Sequence, residues 1–209
     1  MFARRVSETP NKAYLRQPKN GEYQETTWAQ AYENTLRLAK GLRGLGLQKG
    51  DRVAILANNC ADWFIADYAL VAAGLIPTPI YATAGKKVIS YVLEHSDAKA
   101  IFVGNIAKPD IAKDSIPDSV ISIGMSTSDV DCQHTMAELI TNNETLETDE
   151  IHQPKLEDTF SIVYTSGSTG NPKGVVISYE NICYSAAISV HALGTGDDER
   201  YMSLSLIHI

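Results

Sequence analysis

Apolar residues recur at helical spacing in the segment that follows Thr27. The apolar positions run from Trp28 to Leu42, and polar or charged residues occupy the positions between them. Thr27 is a typical N-cap residue, and glycines follow the last apolar position, where helices commonly end. The pattern predicts a helix with one buried face.

Short apolar runs then alternate with further helical segments as far as Gly104. The runs "GDRVAIL" and "AKAIFVG" predict buried strands, and "IPTPIYAT" predicts an extended stretch interrupted by prolines. Between them, "ADWFIADYALVAAG" predicts a helix closed by Gly74, and "KKVISYVLEHS" predicts another. Strands that alternate with helices of this length indicate an α/β fold with a mainly parallel sheet.

The pattern weakens between residues 105 and 155. "DSVISIG" predicts one more strand and "HTMAELI" a brief helix, whereas "TNNETLETDEIHQPKLED" reads as a polar, acidic loop with little to bury. Regular alternation returns in "TFSIVYTSGSTGNPKGVVISYENICYSAAISVHAL". We interpret this segment as a strand, a glycine-rich polar loop, a second strand and a helix.

Composition excludes several classes of protein. The 209 residues fit one large α/β unit, and a formal net charge of −7 without long basic blocks disfavours nucleic acid as a partner. Three cysteines without C-x-x-C spacing predict neither a zinc site nor a disulfide framework, which fits a reducing compartment. No apolar run is long enough to span a membrane. We therefore expect a cytoplasmic protein, and peripheral membrane contact remains open.

The stretch "YTSGSTGNPKG", Tyr164 to Gly174, has the chemistry of a phosphate site. Its glycines let backbone N–H groups approach an anion, its hydroxyl groups add donors, and Lys173 adds a positive charge. Gly, Ser, Asn and Pro also suit an ordinary turn, so a plain connection between two strands is the alternative. A Walker A loop is excluded, because both the spacing after Gly167 and the β-rich "VVIS" that follows differ from that motif.

The same stretch resembles the phosphate-binding signature of the adenylate-forming superfamily, which includes acyl-CoA synthetases, luciferases and the adenylation domains of peptide synthetases. Upstream, "PIYAT" and "YVLEHSDAKAIFV" are most similar to long-chain fatty acyl-CoA synthetases. The resemblance runs from about Phe2 to Ser203. It implies that the chain is the N-terminal part of the AMP-binding domain, with mixed, mainly parallel sheets flanked by helices.

The resemblance also implies an activity for the complete protein. A fatty acid would react with ATP to give an acyl-adenylate, and coenzyme A would then displace AMP, with Mg²⁺ bridging phosphate oxygens. The residues implied to hold the β- and γ-phosphates are Thr165, Ser166, Gly167, Ser168, Thr169, Gly170 and Lys173. Ser168 stands where family members often carry Thr, and it keeps the hydroxyl group.

No catalytic residue is assigned, because the family's catalytic lysine belongs to a C-terminal domain that no segment here matches. We accordingly expect these 209 residues to be inactive alone. Two alternatives stay open: an adenylate-forming ligase for an aryl, short-chain or amino acid, and a non-catalytic nucleotide-binding module. Oligomeric state and metal ligands are not predicted.

The last six residues, Leu204 to Ile209, are also the translation of CTGTCTCTTATACACATC, a transposon-end adapter used in sequencing libraries. We hypothesise that the native reading ends near Ser203 and that "LSLIHI" is an assembly artefact. Amplification from genomic DNA tests this, because an intact codon run followed by a stop codon would contradict it.

Several residues that could suggest chemistry are better explained by structure. His95 lies near a predicted helix end and His191 on an apolar helix, and we interpret both as structural. Aromatic residues at helical spacing, Trp63, Phe64 and Tyr68, indicate core packing.

Overall fold

A computed structural model describes residues 2–165 and 171–194, apart from the side chain of Leu193. The helices in this part of the chain are α1 (Phe2–Glu8), α2 (Trp28–Gly44), α3 (Ala61–Ala73), α4 (Lys86–His95), α5 (Pro109–Lys113), α6 (Met136–Thr141) and α7 (Tyr179–Leu193). The strands are β1 (Ala13–Lys19), β2 (Glu22–Thr27), β3 (Arg52–Leu56), β4 (Ile76–Ile80), β5 (Ala98–Val103), β6 (Ile121–Gly124), β7 (His134–Thr135), β8 (Thr159–Thr165) and β9 (Lys173–Ser178).

Five strands form a parallel sheet in the order β4-β3-β5-β6-β7. Successive residues of β3 point to opposite faces: Val53 and Ile55 pack in one apolar cluster, and Ala54 and Leu56 in another. Helices α2, α3 and α6 contribute to the first cluster, and α4 and α5 to the second. The predicted α/β fold with a mainly parallel sheet is confirmed, and both faces of the sheet are covered.

Local sequence signals set the helix ends where they were expected. The Thr27 hydroxyl accepts a hydrogen bond from the backbone N–H of Gln30, and the Gln30 side chain accepts one from the Thr27 N–H. This reciprocal pair satisfies two of the donors that a helix start leaves free. Gly74 ends α3 in the left-handed conformation, with φ of 80°, which other residues adopt at a cost.

Four features were not predicted from the sequence: α1, the β1–β2 hairpin, α5 and the two-residue strand β7, which lies at the start of the segment predicted as a brief helix. The hairpin turns at Asn20 and Gly21, both with positive φ, as a two-residue turn of this kind requires. The Asn-Gly pair was therefore an available signal. Helix α5 has five residues and α1 seven, too short for apolar periodicity to reveal them.

The acidic segment between α6 and β8 is irregular, as expected, but side chains of α2 form hydrogen bonds with it. Lys40 of α2 lies 2.8 Å from a carboxylate oxygen of Glu150, and Arg43 donates to the Glu150 carbonyl at 2.9 Å. Leu146 is buried in the first apolar cluster. The sequence predicted that this loop buries little. The burial of Leu146 was missed because an isolated leucine among polar residues carries no periodic signal.

Strands β8 and β9 form an antiparallel hairpin that lies beside β4. The Ser161 hydroxyl donates to the Pro77 carbonyl at 2.9 Å. A strand residue points its N–H and its carbonyl to the same side. Since the Pro77 carbonyl faces β8, Pro77 and Pro79 occupy the positions where β4 would otherwise offer N–H groups to β8, and proline has no N–H. The prolines thus end the parallel ladder at β4, and a side-chain hydrogen bond joins the hairpin to it.

Helix α7 follows the hairpin and starts at a reciprocal cap like that of α2, formed by Ser178 and Asn181. Beyond its first turn the described side chains are almost all exposed, including Tyr184 and Ile188. None of the described helices has the length and hydrophobicity needed to cross a bilayer.

Candidate phosphate-binding site

The β8–β9 hairpin brings together the two ends of the glycine-rich loop. Thr165, the last residue of β8, is the cross-strand partner of Lys173, the first residue of β9. Both side chains are exposed. A hydroxyl group and an ammonium group therefore stand at the two ends of the loop, in positions suited to an anionic ligand.

Five of the seven residues predicted to hold phosphate lie outside the described residues: Ser166, Gly167, Ser168, Thr169 and Gly170. Their assignment stays a prediction. Thr165 and Lys173 lie within the described part and on opposite strands, which agrees with a strand, loop and strand arrangement. Leu204 to Ile209 also lie outside the described residues.

Tyr164 occupies the position just before the loop, and its ring lies over Gly174, its cross-strand partner. A Cβ atom on Gly174 would lie 3.2 Å from Cζ of Tyr164 and 3.2 Å from Cγ2 of Ile162. Any larger residue would crowd both neighbours. The final glycine of "YTSGSTGNPKG" thus has a packing reason here, which the sequence alone did not indicate.

The Tyr164 hydroxyl reaches the end of α4. It lies 2.8 Å from Nδ1 of His95, the last residue of that helix. Tyr91, one turn earlier, stacks on His95, and its ring is nearly perpendicular to that of Tyr164. Burial, and secondly the neighbouring Tyr91, raise the pKa of Tyr164 above its ordinary value, so the phenol stays protonated at neutral pH. The structural interpretation of His95 fits this contact.

The donors at the loop fit a polyphosphate better than a protein-held metal ion. Within residues 2–165 and 171–194, no three His, Cys, Asp or Glu side chains are grouped to bind a cation. The described groups at the loop, the Thr165 hydroxyl and the Lys173 ammonium, instead complement phosphate oxygens. If Mg²⁺ accompanies the phosphates, none of the described residues is assigned as its ligand.

The family described as AMP-binding enzyme matches residues 2–209. The chain belongs to this family. Long chain acyl-CoA synthetase 1 of Arabidopsis thaliana is 28% identical over 207 residues, covering 87% of this chain and 30% of the plant protein. Fatty acyl-CoA synthetase A of Dictyostelium discoideum is 30% identical over 179 residues, covering 78% of this chain and 26% of that protein. The chain thus spans less than a third of these curated relatives and is most like long-chain acyl-CoA synthetases.

Solved structures of adenylate-forming enzymes share the fold. The o-succinylbenzoate CoA synthetase MenE of Bacillus subtilis, in complex with its acyl-adenylate, superposes with a TM-score of 0.74 at 25% identity, covering 99% of this chain and 39% of that chain. The anthranilate CoA ligase AuaEII, bound to anthranoyl-AMP, gives a TM-score of 0.77 at 22% identity, covering 89% and 35%. The predicted membership of the adenylate-forming fold is confirmed.

Proposed function

We propose that the complete protein is an AMP-forming ligase that converts a long-chain fatty acid to its acyl-CoA thioester. In the first step a carboxylate oxygen of the fatty acid bonds to the α-phosphorus of ATP, and pyrophosphate leaves with the electrons of the broken P–O bond. In the second step the thiolate of coenzyme A bonds to the acyl carbon, and AMP leaves.

In this proposal Thr165, Lys173 and the loop between them hold the β- and γ-phosphates. The ammonium group of Lys173 offsets negative charge on the phosphates, and the Thr165 hydroxyl fixes their position. The observation that carries the proposal is the pairing of these two residues across the mouth of a glycine-rich hairpin loop in a chain of this family. Mg²⁺, for which none of the described residues is assigned as a ligand, would supply further positive charge against the phosphates.

The fatty-acid substrate rests on the relatives. Curated long-chain acyl-CoA synthetases are 27–29% identical to this chain, and a curated fatty acyl-CoA synthetase is 30% identical. These sequence relatives support a long acyl chain as the substrate, whereas the anthranilate CoA ligase among the solved structures shows only the shared fold. An aryl, short-chain or amino acid substrate and a non-catalytic nucleotide-binding module remain the competing hypotheses.

Substrate-dependent exchange of pyrophosphate into ATP tests the proposal on the complete protein. We expect exchange with long-chain fatty acids and little with benzoate, o-succinylbenzoate, acetate or amino acids. Exchange only with an aromatic acid would replace the substrate assignment, and no exchange with any carboxylate would favour the binding module. These 209 residues alone should give no exchange, because a phosphate loop does not supply an acyl pocket.

A lysine variant tests the role of the loop. Lys173→Met should lower the exchange rate roughly 10²-fold, because it removes a positive charge that opposes phosphate charge in the reaction. Lys113→Met on α5 is the matched control, since Lys113 is also an exposed lysine but lies away from the hairpin. Equal rates in Lys173→Met and Lys113→Met would refute the assigned role.

A further inference from the structure

We propose that His95 and Tyr164 are positioning residues that hold the start of the phosphate-binding loop against helix α4. The inference rests on the proposed function and extends it, because it assigns a role to two side chains outside the set proposed to hold phosphate. Tyr164 is joined through its backbone to Thr165, the first residue of the loop assigned to phosphate. A displacement of Tyr164 is therefore passed directly to the loop.

Three contacts fix the Tyr164 side chain, which is only 6% exposed. Its hydroxyl lies 2.8 Å from His95 Nδ1, its ring meets Tyr91 edge to face at 6.4 Å, and its ring atoms lie over Gly174. One contact is polar and directional, and the other two are steric. Together they fix both the direction and the depth of the ring.

The other partner of the hydrogen bond lies on a helix that packs against the parallel sheet. Helix α4 buries Ile89, Val92 and Leu93 against the parallel sheet. His95 ends this helix, and its ring stacks on Tyr91 as well as contacting the Tyr164 hydroxyl. His95 is itself exposed, but the hydrogen bond connects the loop to a helix whose inner face is buried, whereas β9 and α7 on the other side of the loop are largely exposed.

The contact between Tyr164 and His95 lies on the face of β8 opposite to the one that carries Thr165. Successive side chains of a strand point to opposite faces, so the inward direction of Tyr164 turns Thr165 away from α4. Tyr164 is buried and Thr165 is exposed, as this alternation requires. The anchor can thus hold the backbone without occupying the volume in which phosphate would bind.

The decisive variants remove one polar partner at a time from the complete protein. Tyr164→Phe and His95→Leu should each raise the KM for ATP about 3- to 10-fold, the loss expected when one hydrogen bond is removed. The KM for the fatty acid should not change. Because both variants break the same contact, the double variant should be no worse than about twofold beyond either single one.

Two further variants separate positioning from general stability. His95→Asn places an amide near the position of Nδ1 and should restore the KM for ATP to within about twofold of the original. Tyr14→Phe is the matched control: it removes a partly buried phenol hydroxyl that is hydrogen bonded to Tyr68, far from the loop. It should lower the melting temperature as much as Tyr164→Phe and leave the KM for ATP unchanged.

Titration calorimetry with Mg·ATP gives a second measurement that needs no catalysis. The dissociation constant should rise in Tyr164→Phe and His95→Leu by the same factor as KM. Unchanged ATP binding in both variants, with Lys173→Met still impaired, would overturn the positioning role and leave the proposed function intact. If the protein binds ATP but exchanges no pyrophosphate, the proposed ligase activity is refuted, and ATP binding by the variants still tests the positioning role. If the protein binds no ATP, both the ligase activity and the positioning role are overturned.

Discussion

The parallel sheet with its helices and the hairpin–helix unit, β8, β9 and α7, differ sharply in how they are covered. In the sheet, β3 and β5 are buried on both faces, and Phe102 is fully inaccessible to solvent. In the hairpin–helix unit, Val176 is 60% exposed and Tyr184 70% exposed. The first region contains its own core, whereas the second exposes apolar residues that further protein would normally cover.

The difference matters because the candidate phosphate site belongs to the second region. The loop starts and ends on β8 and β9. Side-chain hydrogen bonds join β8 to the sheet and its helices, from Ser161 to Pro77 and between Tyr164 and His95, and Tyr164 and Ile162 pack against the second apolar cluster. In a chain that spans about a third of the length of its curated relatives, the parallel sheet is therefore packed on both faces, whereas the loop is supported on one side only. Each of the following variants tests that contrast.

The largest effect should come from truncating a side chain in the sheet. Phe102→Ala should lower the free energy of unfolding by about 3–5 kcal/mol, because it removes a large buried side chain and leaves a cavity. Ile188→Ala on α7 should cost less than about 1 kcal/mol, because Ile188 is already 51% exposed. Urea denaturation of the 209-residue chain, followed by circular dichroism, measures both.

These two variants could also contradict the contrast between the sheet and the hairpin–helix unit. A loss above about 2 kcal/mol for Ile188→Ala would mean that α7 is packed in solution, either by the rest of this chain or by a second copy. Dilution separates these cases, since only packing by a second copy weakens as the protein concentration falls.

The sequence predicted the sheet better than it predicted the loop's supports. Strands β3 and β5 could be found because each is a short, continuous apolar run, and α2 because its apolar period and its Thr27 cap agree. These signals are local. The β1–β2 hairpin was missed although its Asn20-Gly21 turn is a local signal as well.

In the candidate site, too, some features could be predicted from the sequence and others could not. Thr165 and Lys173 were found because the motif is a contiguous stretch of sequence. The contact between His95 and Tyr164 joins residues 69 positions apart, and no periodicity or motif links them. The fit of Gly174 under the Tyr164 ring depends on strand register, which the glycine-rich sequence did not specify.

A pH-dependent effect should arise where the hairpin–helix unit approaches α3. Asp67 of α3 lies near the tyrosines Tyr14, Tyr68 and Tyr179, and burial raises its pKa to about 7. An unfolded aspartate titrates near 4, so the folded protein binds the extra proton between these values. The contribution of Asp67 to stability therefore falls as pH rises from about 4 to 7, and stays low above that.

The variant Asp67→Asn isolates this contribution. It should be more stable than the original protein at pH 8, and the difference should shrink towards pH 5 in urea denaturation series. Burial lowers the pKa of His152, so its contribution to stability changes with pH in the opposite sense. Since His152 is present in both proteins, it cancels in the difference. A difference independent of pH would show that Asp67 is solvated.

The smallest change in stability, but a clear change in association, should follow from making the exposed face polar. Tyr184→Ser on α7 should change the free energy of unfolding by less than about 0.5 kcal/mol, because an exposed side chain contributes little to the folded state. It should nevertheless reduce self-association of the 209-residue chain in sedimentation velocity, because Tyr184 borders other exposed apolar residues of the same helix. Tyr23→Ser is the matched control: Tyr23 is 71% exposed but sits on the β1–β2 hairpin. If both variants, or neither, altered association, the exposed face of α7 would not be what distinguishes the two regions.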